Sequence, residues 1–277
     1  MARPNHQSYF GPYRLVRPQT PVLGLDRWVV LDEHNNTNHV LYRFAPAHDI
    51  AERRRLFGAM HSLSRVNHPH LLKLESLSFD DHNRLCVITP YTGNQDGLVT
   101  LKELLAKRDG KLGSVEAIRC LAHLLEASQS GTDASIHHGA INTDEILVDR
   151  SGRVQIELYG MSNAMRHQEV SADRIADEVR SIVRIGYIML VGLEPDADRV
   201  APSRLVRKLD RLWDRWFAIG LDPVDGFVDA AQALRALPIH DNATEALAQH
   251  PTLRPQVHLG SMLRRRFRTA GTKARTE

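Results

Sequence analysis

The sequence predicts a bilobal α+β protein, in which a small β-rich lobe precedes a larger α-helical lobe. Three observations predict this class. Short apolar runs separated by polar turns dominate residues 13–91, one helix-like segment interrupts them, and helical spacing dominates residues 100–237. The length of 277 residues suits one large domain or two lobes. A hydrophobic fraction of 42% and a charged fraction of 25% exclude general disorder, collagen and disulfide scaffolds.

The first lobe is predicted mainly from short strand-like runs. Residues 28–31 and 39–44 flank a polar segment, which favours a β-hairpin. Residues 50–66 carry apolar side chains at helical spacing. Residues 71–74 and 85–88 then predict two more strands of the same sheet.

The second lobe is predicted to be mainly helical. Thr100 and Glu103 have the spacing of a capping box, which begins a helix. A helix over residues 114–128 has an apolar face that includes Val115, and residues 146–156 read as a hairpin. These elements place a small β segment among helices.

The end of this lobe contains the most apolar helix. Residues 173–190 are apolar nearly all round in their second half, so we expect them at the centre of the lobe. Two further helices are predicted over residues 204–218 and 226–237. No stretch of 18 or more uninterrupted apolar residues and no signal pattern in residues 1–30 occur, so we expect a cytoplasmic protein without a transmembrane segment.

The cysteines and the charge distribution restrict other roles. Cys86 and Cys120 lie in apolar runs and are expected to be buried thiols. Residues 239–277 are basic and leave residues 1–238 close to neutral. This segment is either a disordered, solvated tail or a surface for an anionic membrane or a nucleic acid. Its arginine cluster consists of Arg264, Arg265, Arg266 and Arg268.

Four local strings lie in order along the chain: Gly11-Pro-Tyr-Arg-Leu15, Asn67-His-Pro-His-Leu-Leu72, His138-Gly-Ala-Ile-Asn-Thr-Asp-Glu-Ile-Leu147 and Asp222-Pro-Val-Asp-Gly-Phe-Val-Asp-Ala-Ala231. Together with the order of the elements they resemble the protein kinases, in particular the bacterial serine/threonine kinases. The resemblance covers residues 11–238 as a kinase-like domain. The polar residues before it, 1–10, are predicted to form a flexible arm, and residues 239–277 a basic tail. The first lobe would end near residue 91 and the second would span 92–238.

The resemblance also assigns the chemical positions of a kinase, which binds phosphates with backbone amides and a lysine and holds two metal ions. In the first lobe, the phosphate loop retains one glycine, Gly24. The strand lysine falls at Arg43, and the helix glutamate that pairs with it falls at Ala59. Arginine keeps the charge of lysine but not its geometry.

In the second lobe, the catalytic-loop histidine matches His138, the catalytic base falls at Ala140 and the metal-binding asparagine falls at Glu145. The metal-binding aspartate falls at Leu158, and the glycine that follows it in the motif is Gly160. Alanine cannot accept a proton, and leucine cannot ligate Mg²⁺. The sequence therefore predicts a pseudokinase with no catalytic residue, no bound metal and weak or absent ATP binding.

Several alternatives stay open from the sequence. Glu145 and Glu157 are either replacement metal ligands, or a solvated loop charge and a side chain that points away from the cleft. Arg43 either holds an anion or pairs with a nearby carboxylate. At the hinge, the Pro90 carbonyl and the Thr92 amide either still bind an adenine ring or have no ligand.

The predicted role is that of an inactive scaffold or allosteric regulator with an unknown protein partner. An ATP-dependent phosphoryl or nucleotidyl transferase that uses the same cleft is the alternative. A third role, binding of nucleic acid or a membrane surface through the tail, is disfavoured by the near-neutral residues 1–238. The fifteen histidines, among them His68, His70 and His137, have no zinc-ligand spacing.

Overall fold

The computed structural model describes residues 9–91, 99–166, 169–196 and 200–238, which all fall within one compact unit. Within these ranges the strands are β1 (Tyr9–Phe10), β2 (Tyr13–Val22), β3 (Leu25–Asp32), β4 (Thr37–Pro46), β5 (Ser76–Phe79), β6 (Arg84–Pro90), β7 (Val99–Thr100), β8 (Ile146–Val148) and β9 (Val154–Ile156). The helices are α1 (Ile50–Ser64), α2 (Leu101–Lys107), α3 (Ser114–Asp133), α4 (Met161–Met165), α5 (Ala172–Val191), α6 (Pro202–Leu205), α7 (Leu212–Gly220) and α8 (Ala230–Arg235).

The first lobe is an antiparallel sheet with the strand order β1-β2-β3-β4-β6-β5 and a single long helix, α1. The hairpin predicted around residue 35 is confirmed as β3 and β4. Side chains on β4 alternate between two apolar clusters. Val40, Tyr42 and Phe44 pack with α1, whereas Leu41 packs on the opposite face of the sheet.

The second lobe is built around α5. The prediction of a central helix is confirmed, because Ile185 and Met189 are buried and pack in one large cluster with α3, α7 and α8. Ile188 is partly buried at the edge of this cluster. A three-stranded sheet, β7-β8-β9, lies in this lobe, and the predicted capping box at Thr100 begins α2. The bilobal α+β class is therefore confirmed.

The prediction of a strand over residues 71–74 is wrong. Leu71, Leu72 and Leu74 are all buried, and the segment docks on β9 instead of pairing in the large sheet. The Leu72 amide donates to the Ile156 carbonyl at 3.0 Å. Leu71 belongs to the apolar cluster of the second lobe and Leu74 to that of the first, and the less apolar β5 forms the edge strand beside β6.

Two helix predictions also differ from the structure. The segment 204–218 is divided into α6 and α7, and Lys208 between them has a φ of 64°, which interrupts a helix. Val115 at the start of α3 is 53% exposed, although its spacing suggested the apolar face. Ser114, the residue before it, is exposed as well.

The chain boundaries and cysteines complete the description. Residues 9–10, predicted to belong to the flexible arm, form β1, and Phe10 is buried against the sheet. The rest of the arm and the tail over 239–277 lie outside the described residues. Cys86 and Cys120 are buried free thiols, and burial raises their pKa values to about 11 and about 12. None of the described helices is long and apolar enough to cross a membrane.

Candidate functional site

The cleft between the two lobes contains a buried polar triad of Tyr42, Arg27 and Glu157. Arg27 on β3 and Tyr42 on β4 are direct cross-strand partners and lie on the same face of the sheet. The Tyr42 hydroxyl donates to Glu157 Oε1, and Arg27 Nη2 lies 3.0 Å from the same oxygen. Glu157 follows β9 and is 3% exposed. The triad thus connects the first-lobe sheet to the second lobe.

The protonation of Tyr42 follows from its surroundings. Burial raises the pKa of this phenol well above its ordinary value, and the neighbouring Glu157 carboxylate raises it further. Tyr42 is therefore a neutral hydroxyl that donates a hydrogen bond to a carboxylate. The Arg27 guanidinium also lies 5.6 Å from the centre of the Tyr42 ring, where a cation is attracted to the π face.

Arg43, the residue at the position expected for the lysine, does not face α1 in the structure. In a kinase the lysine of the third strand pairs with a glutamate of the helix, so its side chain must face that helix. On β4 the side chain that faces α1 is Tyr42, and Arg43 points to the other face. Arg43 Nε lies 3.5 Å from Asp80 Oδ2, which supports the carboxylate pairing among the two alternatives.

An apolar cluster lies where the helix glutamate and the metal-binding aspartate are expected. Ala59 on α1 is partly buried against this cluster, and Leu158 belongs to it with 1% of its surface exposed. Leu158 has a φ of 51°, a left-handed conformation that is unusual for leucine and costs free energy. The packing of its side chain with Met60 and Met161 stabilises this backbone.

The catalytic-loop segment is braced by His138 and Glu145. His138 Nδ1 accepts from the Gly160 amide at 3.0 Å, and its Nε2 lies 3.3 Å from Glu145 Oε2. The same oxygen accepts from the side-chain amide of Asn142 at 2.7 Å. The interpretation of Glu145 as a solvated charge is wrong, because the residue is 7% exposed and holds the loop.

Gly160 has a structural reason to be glycine. Its φ is 75°, and a Cβ atom there would lie 2.6 Å from Ile136 Cγ2. Gly24 has the same φ in the turn between β2 and β3, but a Cβ there would meet nothing within 4 Å. Both positions require left-handed backbone, and only Gly160 also requires the absence of a side chain.

Glu178 of α5 accepts hydrogen bonds from the backbone of the same loop. Its Oε2 accepts from the amides of His138 at 2.5 Å and Gly139 at 3.0 Å, and its Oε1 accepts from the Tyr159 hydroxyl at 2.7 Å. Glu178 is 1% exposed. A buried carboxylate that accepts three hydrogen bonds fixes the segment that donates them. The loop is therefore ordered, although Ala140 at its tip carries no functional group.

The expected hinge lies only partly within the described residues. Pro90 ends β6 and pairs with His39 of β4, whereas Thr92 lies outside the described residues. The adjacent Thr89 is buried, and its hydroxyl donates to the Pro90 carbonyl at 3.3 Å.

The two glutamates considered as metal ligands, Glu145 and Glu157, are each bonded to other side chains. The interpretation of Glu157 as pointing away from the cleft is wrong, since it bonds to Tyr42 and Arg27. Glu145 is bonded to His138 instead. Among the described residues there is no group of three or more His, Cys, Asp or Glu side chains that could hold a metal ion.

The comparisons with known proteins identify the family. The family described as "Protein tyrosine and serine/threonine kinase" matches residues 26–182, which is more than half of the chain. The chain therefore belongs to the protein tyrosine and serine/threonine kinase family. The kinase domain of Mycobacterium tuberculosis PknI has the same fold, with a TM-score of 0.64 and 17% identity, and the match covers 86% of this chain and 98% of that one.

Curated relatives are similar over shorter regions. The TBC domain-containing protein kinase-like protein of Gallus gallus is 30% identical over 120 residues, 43% of this chain. CBL-interacting protein kinase 17 of Oryza sativa subsp. japonica is 23% identical over 160 residues, 50% of this chain. The match spans 12% of the first relative and 34% of the second. The chain thus corresponds to only part of either protein.

Sequence reasoning missed the residues that define the cleft. Tyr42 had a usable signal, because Val40, Tyr42 and Phe44 are spaced two apart as one face of a strand. Arg27 and Glu178 carried no local signal. Their roles depend on contacts with residues far away in the sequence.

Proposed function

We propose that this chain is a catalytically inactive member of the kinase family, a pseudokinase, which acts by binding another protein as a scaffold or allosteric regulator. The observation that carries the proposal is the triad of Tyr42, Arg27 and Glu157 in the cleft. An active kinase uses the helix-facing cation of the third long strand to bind nucleotide phosphates. Here that side chain is a neutral phenol bonded to a buried carboxylate.

Two further positions support inactivity. Ala140 lies at the tip of the catalytic loop, where a kinase has the carboxylate that orients the substrate hydroxyl. Leu158 is packed in the apolar cluster and offers no oxygen to a metal ion. Metal-assisted phosphoryl transfer needs both groups together, so their effects on one transition state are not separate costs.

A binding role is supported by what the chain retains. The catalytic loop is held by Glu178 and His138 as a fixed surface, with hydrogen bonds of 2.5–3.3 Å. The two lobes are joined by a buried ion pair, which supports one fixed relation between them. A rigid surface without catalytic groups suits a protein that recognises a partner. The relatives from Gallus gallus and Homo sapiens are themselves named protein kinase-like.

The proposal is tested by measuring phosphate transfer from radiolabelled ATP. The full chain is incubated with Mg²⁺ or Mn²⁺ and a general protein substrate, and both autophosphorylation and ATP consumption are followed. Active kinases turn over at about 1–100 per second. We expect no incorporation above the heat-denatured chain, and we expect Ala140→Asp to remain inactive because the metal site is still missing.

The alternative, a phosphoryl or nucleotidyl transferase in the same cleft, makes the opposite prediction. Stoichiometric and metal-dependent incorporation that disappears in a folded Glu145→Gln variant would establish an enzyme and overturn the proposal. Circular dichroism of the variant separates loss of chemistry from loss of fold.

A further inference from the structure

A cavity of 960 Å³ opens beside the catalytic loop, between the β2–β3 turn and α5. Leu23 of the turn and Ile188 of α5 contribute apolar walls, and Gly139 and Ala140 contribute little more than backbone. Ligand sites in proteins commonly have about 300–1,000 Å³. The cavity is therefore large enough for a side chain of a partner together with its neighbours.

The cavity wall carries more arginines than carboxylates that pair with them. The arginines on the wall are Arg166, Arg174, Arg180 and Arg184. Arg180 Nη1 lies 2.5 Å from Asp177 Oδ1, and Arg184 Nε lies 2.6 Å from Glu194 Oε2. The remaining wall carboxylate, Glu145, is engaged by the catalytic loop. Two of the four cations thus have their own counter-charge.

Arg166 and Arg174 are the other two. Arg174 Nη1 donates to the Glu169 carbonyl at 3.2 Å, and among the described residues neither arginine forms an ion pair with a carboxylate. Both side chains retain unused donors on the cavity wall. Neither residue occupies one of the chemical positions of a kinase assigned above.

His137 supplies an independent indication of a ligand. The residue lines the same cavity and is only 3% exposed, and its Nε2 has no hydrogen-bond partner within the described part of the chain. Buried polar atoms are nearly always hydrogen-bonded, so an unpaired one marks a site that a ligand completes. Burial, the largest influence, lowers the pKa of His137, which favours the neutral ring.

We propose that this cavity binds a phosphorylated serine or threonine side chain of the partner protein, with Arg166 and Arg174 holding the phosphate and His137 Nε2 completing its hydrogen bonds. A phosphate monoester carries up to two negative charges and three strong acceptor oxygens, which match two guanidinium groups and an imidazole. The inference rests on the proposed role as a protein-binding domain.

The size and charge of the region favour a phosphopeptide over other anions. The cavity is far larger than one phosphate ion, and Leu23 and Ile188 offer apolar contact to residues beside the phosphorylated one. A polyanion such as a nucleic acid is disfavoured, because residues 1–238 are close to neutral overall. The two arginines without a carboxylate partner line the same cavity.

The test compares short peptide libraries with random flanking residues and a central phosphoserine, serine or glutamate, by retention on the immobilised full chain. We expect the phosphoserine library to be retained about tenfold or more over the serine library, because charge-assisted hydrogen bonds to two arginines are at stake. The double variant Arg166→Gln/Arg174→Gln should lose this preference. Arg54→Gln/Arg55→Gln, which removes two exposed arginines of α1, is the matched control and should keep it.

Three results would overturn the inference: equal retention of the phosphoserine and serine libraries, equal loss in the α1 control, or displacement of the phosphopeptide by oligothymidylate at equal concentration. Inorganic phosphate is the comparison ligand, and stabilisation by phosphate alone equal to that by the phosphopeptide would assign the site to free phosphate instead. Arg174→Lys keeps the charge but not the planar fork, and we expect it to weaken binding while the protein stays folded.

The same preparations are assayed for ATP turnover, which separates this inference from the proposed function. Phosphopeptide binding together with turnover would overturn inactivity alone. Absence of both turnover and phosphopeptide preference would overturn the site alone.

Discussion

Arg27 and Glu157 form an ion pair between the two lobes, with 3.0 Å between Nη2 and Oε1 and side chains that are 19% and 4% exposed. The Tyr42 hydroxyl is bonded to the same oxygen. The amide of Glu157 donates to the Glu145 carbonyl at 2.8 Å, so the ion pair is connected to the catalytic loop. One buried carboxylate thus links the sheet of the first lobe to the loop of the second.

Substitution of this carboxylate should destabilise the protein. Glu157→Gln keeps the volume and an acceptor for Tyr42 but leaves the Arg27 guanidinium without its counter-charge. We expect the free energy of unfolding to fall by about 2–3 kcal/mol, somewhat below the loss for a fully buried pair because Arg27 has some contact with solvent. Urea denaturation near neutral pH measures this change.

The control for Glu157→Gln is Glu33→Gln. Glu33 pairs with Arg14 at 2.7 Å, but the two side chains are 48% and 28% exposed. Exposed ion pairs contribute about 1 kcal/mol or less. Equal losses of stability in the two variants would show that burial of the cleft pair has no special effect.

Gly160→Ala should be more destabilising than Gly24→Ala, although both glycines have a φ of 75°. The left-handed backbone alone costs about 1–2 kcal/mol when a Cβ is added. At Gly160 the new atom also overlaps Ile136, and overpacking adds about 1–3 kcal/mol. Chemical denaturation of both variants checks the difference, and a smaller loss at Gly160 would contradict the packing around the loop.

The stack of His123 on His70 should make the protein less stable in acid. The rings lie 3.9 Å apart, and burial, followed by the charges of His70, Arg119 and Arg153, lowers the pKa of His123 to about 3. The unfolded chain, with a pKa near 6.5, therefore binds this proton first as the pH falls. The contribution is full above about pH 6.5 and is lost progressively toward about pH 3.

We expect this site to remove about 1 kcal/mol of unfolding free energy between about pH 6.5 and pH 5, after allowance for partial exposure of His123 to solvent. His123→Phe keeps a stacked ring without a titrating group and should reduce the acid loss by that amount. His34→Gln, in the exposed β3–β4 turn, is the control for the loss of a histidine elsewhere in the fold. Denaturation at several pH values across this range measures the free energy of unfolding. The same dependence on pH in wild type and His123→Phe would contradict the predicted role of His123.

Local patterns in the sequence were sufficient for most of the fold. Strands β3 and β4, helix α1 and the buried helix α5 follow from spacing of apolar residues and from turn chemistry, which are local. The prediction of a strand at Leu71–Leu74 was wrong because a segment that is buried without strand pairing has the same apolar pattern as a buried strand. The break near Lys208 depends on a backbone conformation that residue type does not specify.

The candidate site was less accessible to sequence reasoning. The positions Ala140 and Leu158 were visible from motif spacing, because they lie within continuous strings. The bond between Tyr42 and Glu157 joins residues 115 apart in the sequence, so no local pattern contains it. Arg43 was chosen for the lysine position because it is a cation. In the structure, however, the alternation of side chains along β4 turns Tyr42 toward α1 and the cleft.

Calorimetric titration of the full chain with ATP and Mg²⁺ tests most directly the central claim that the cleft, occupied by Tyr42 bonded to Glu157, has lost the kinase mode of nucleotide binding. The account predicts no heat of binding at ATP concentrations up to about 1 mM, which corresponds to an affinity weaker than about −4 kcal/mol. A one-to-one, Mg²⁺-dependent binding isotherm with a Kd of about 1 μM, near −8 kcal/mol, would contradict it.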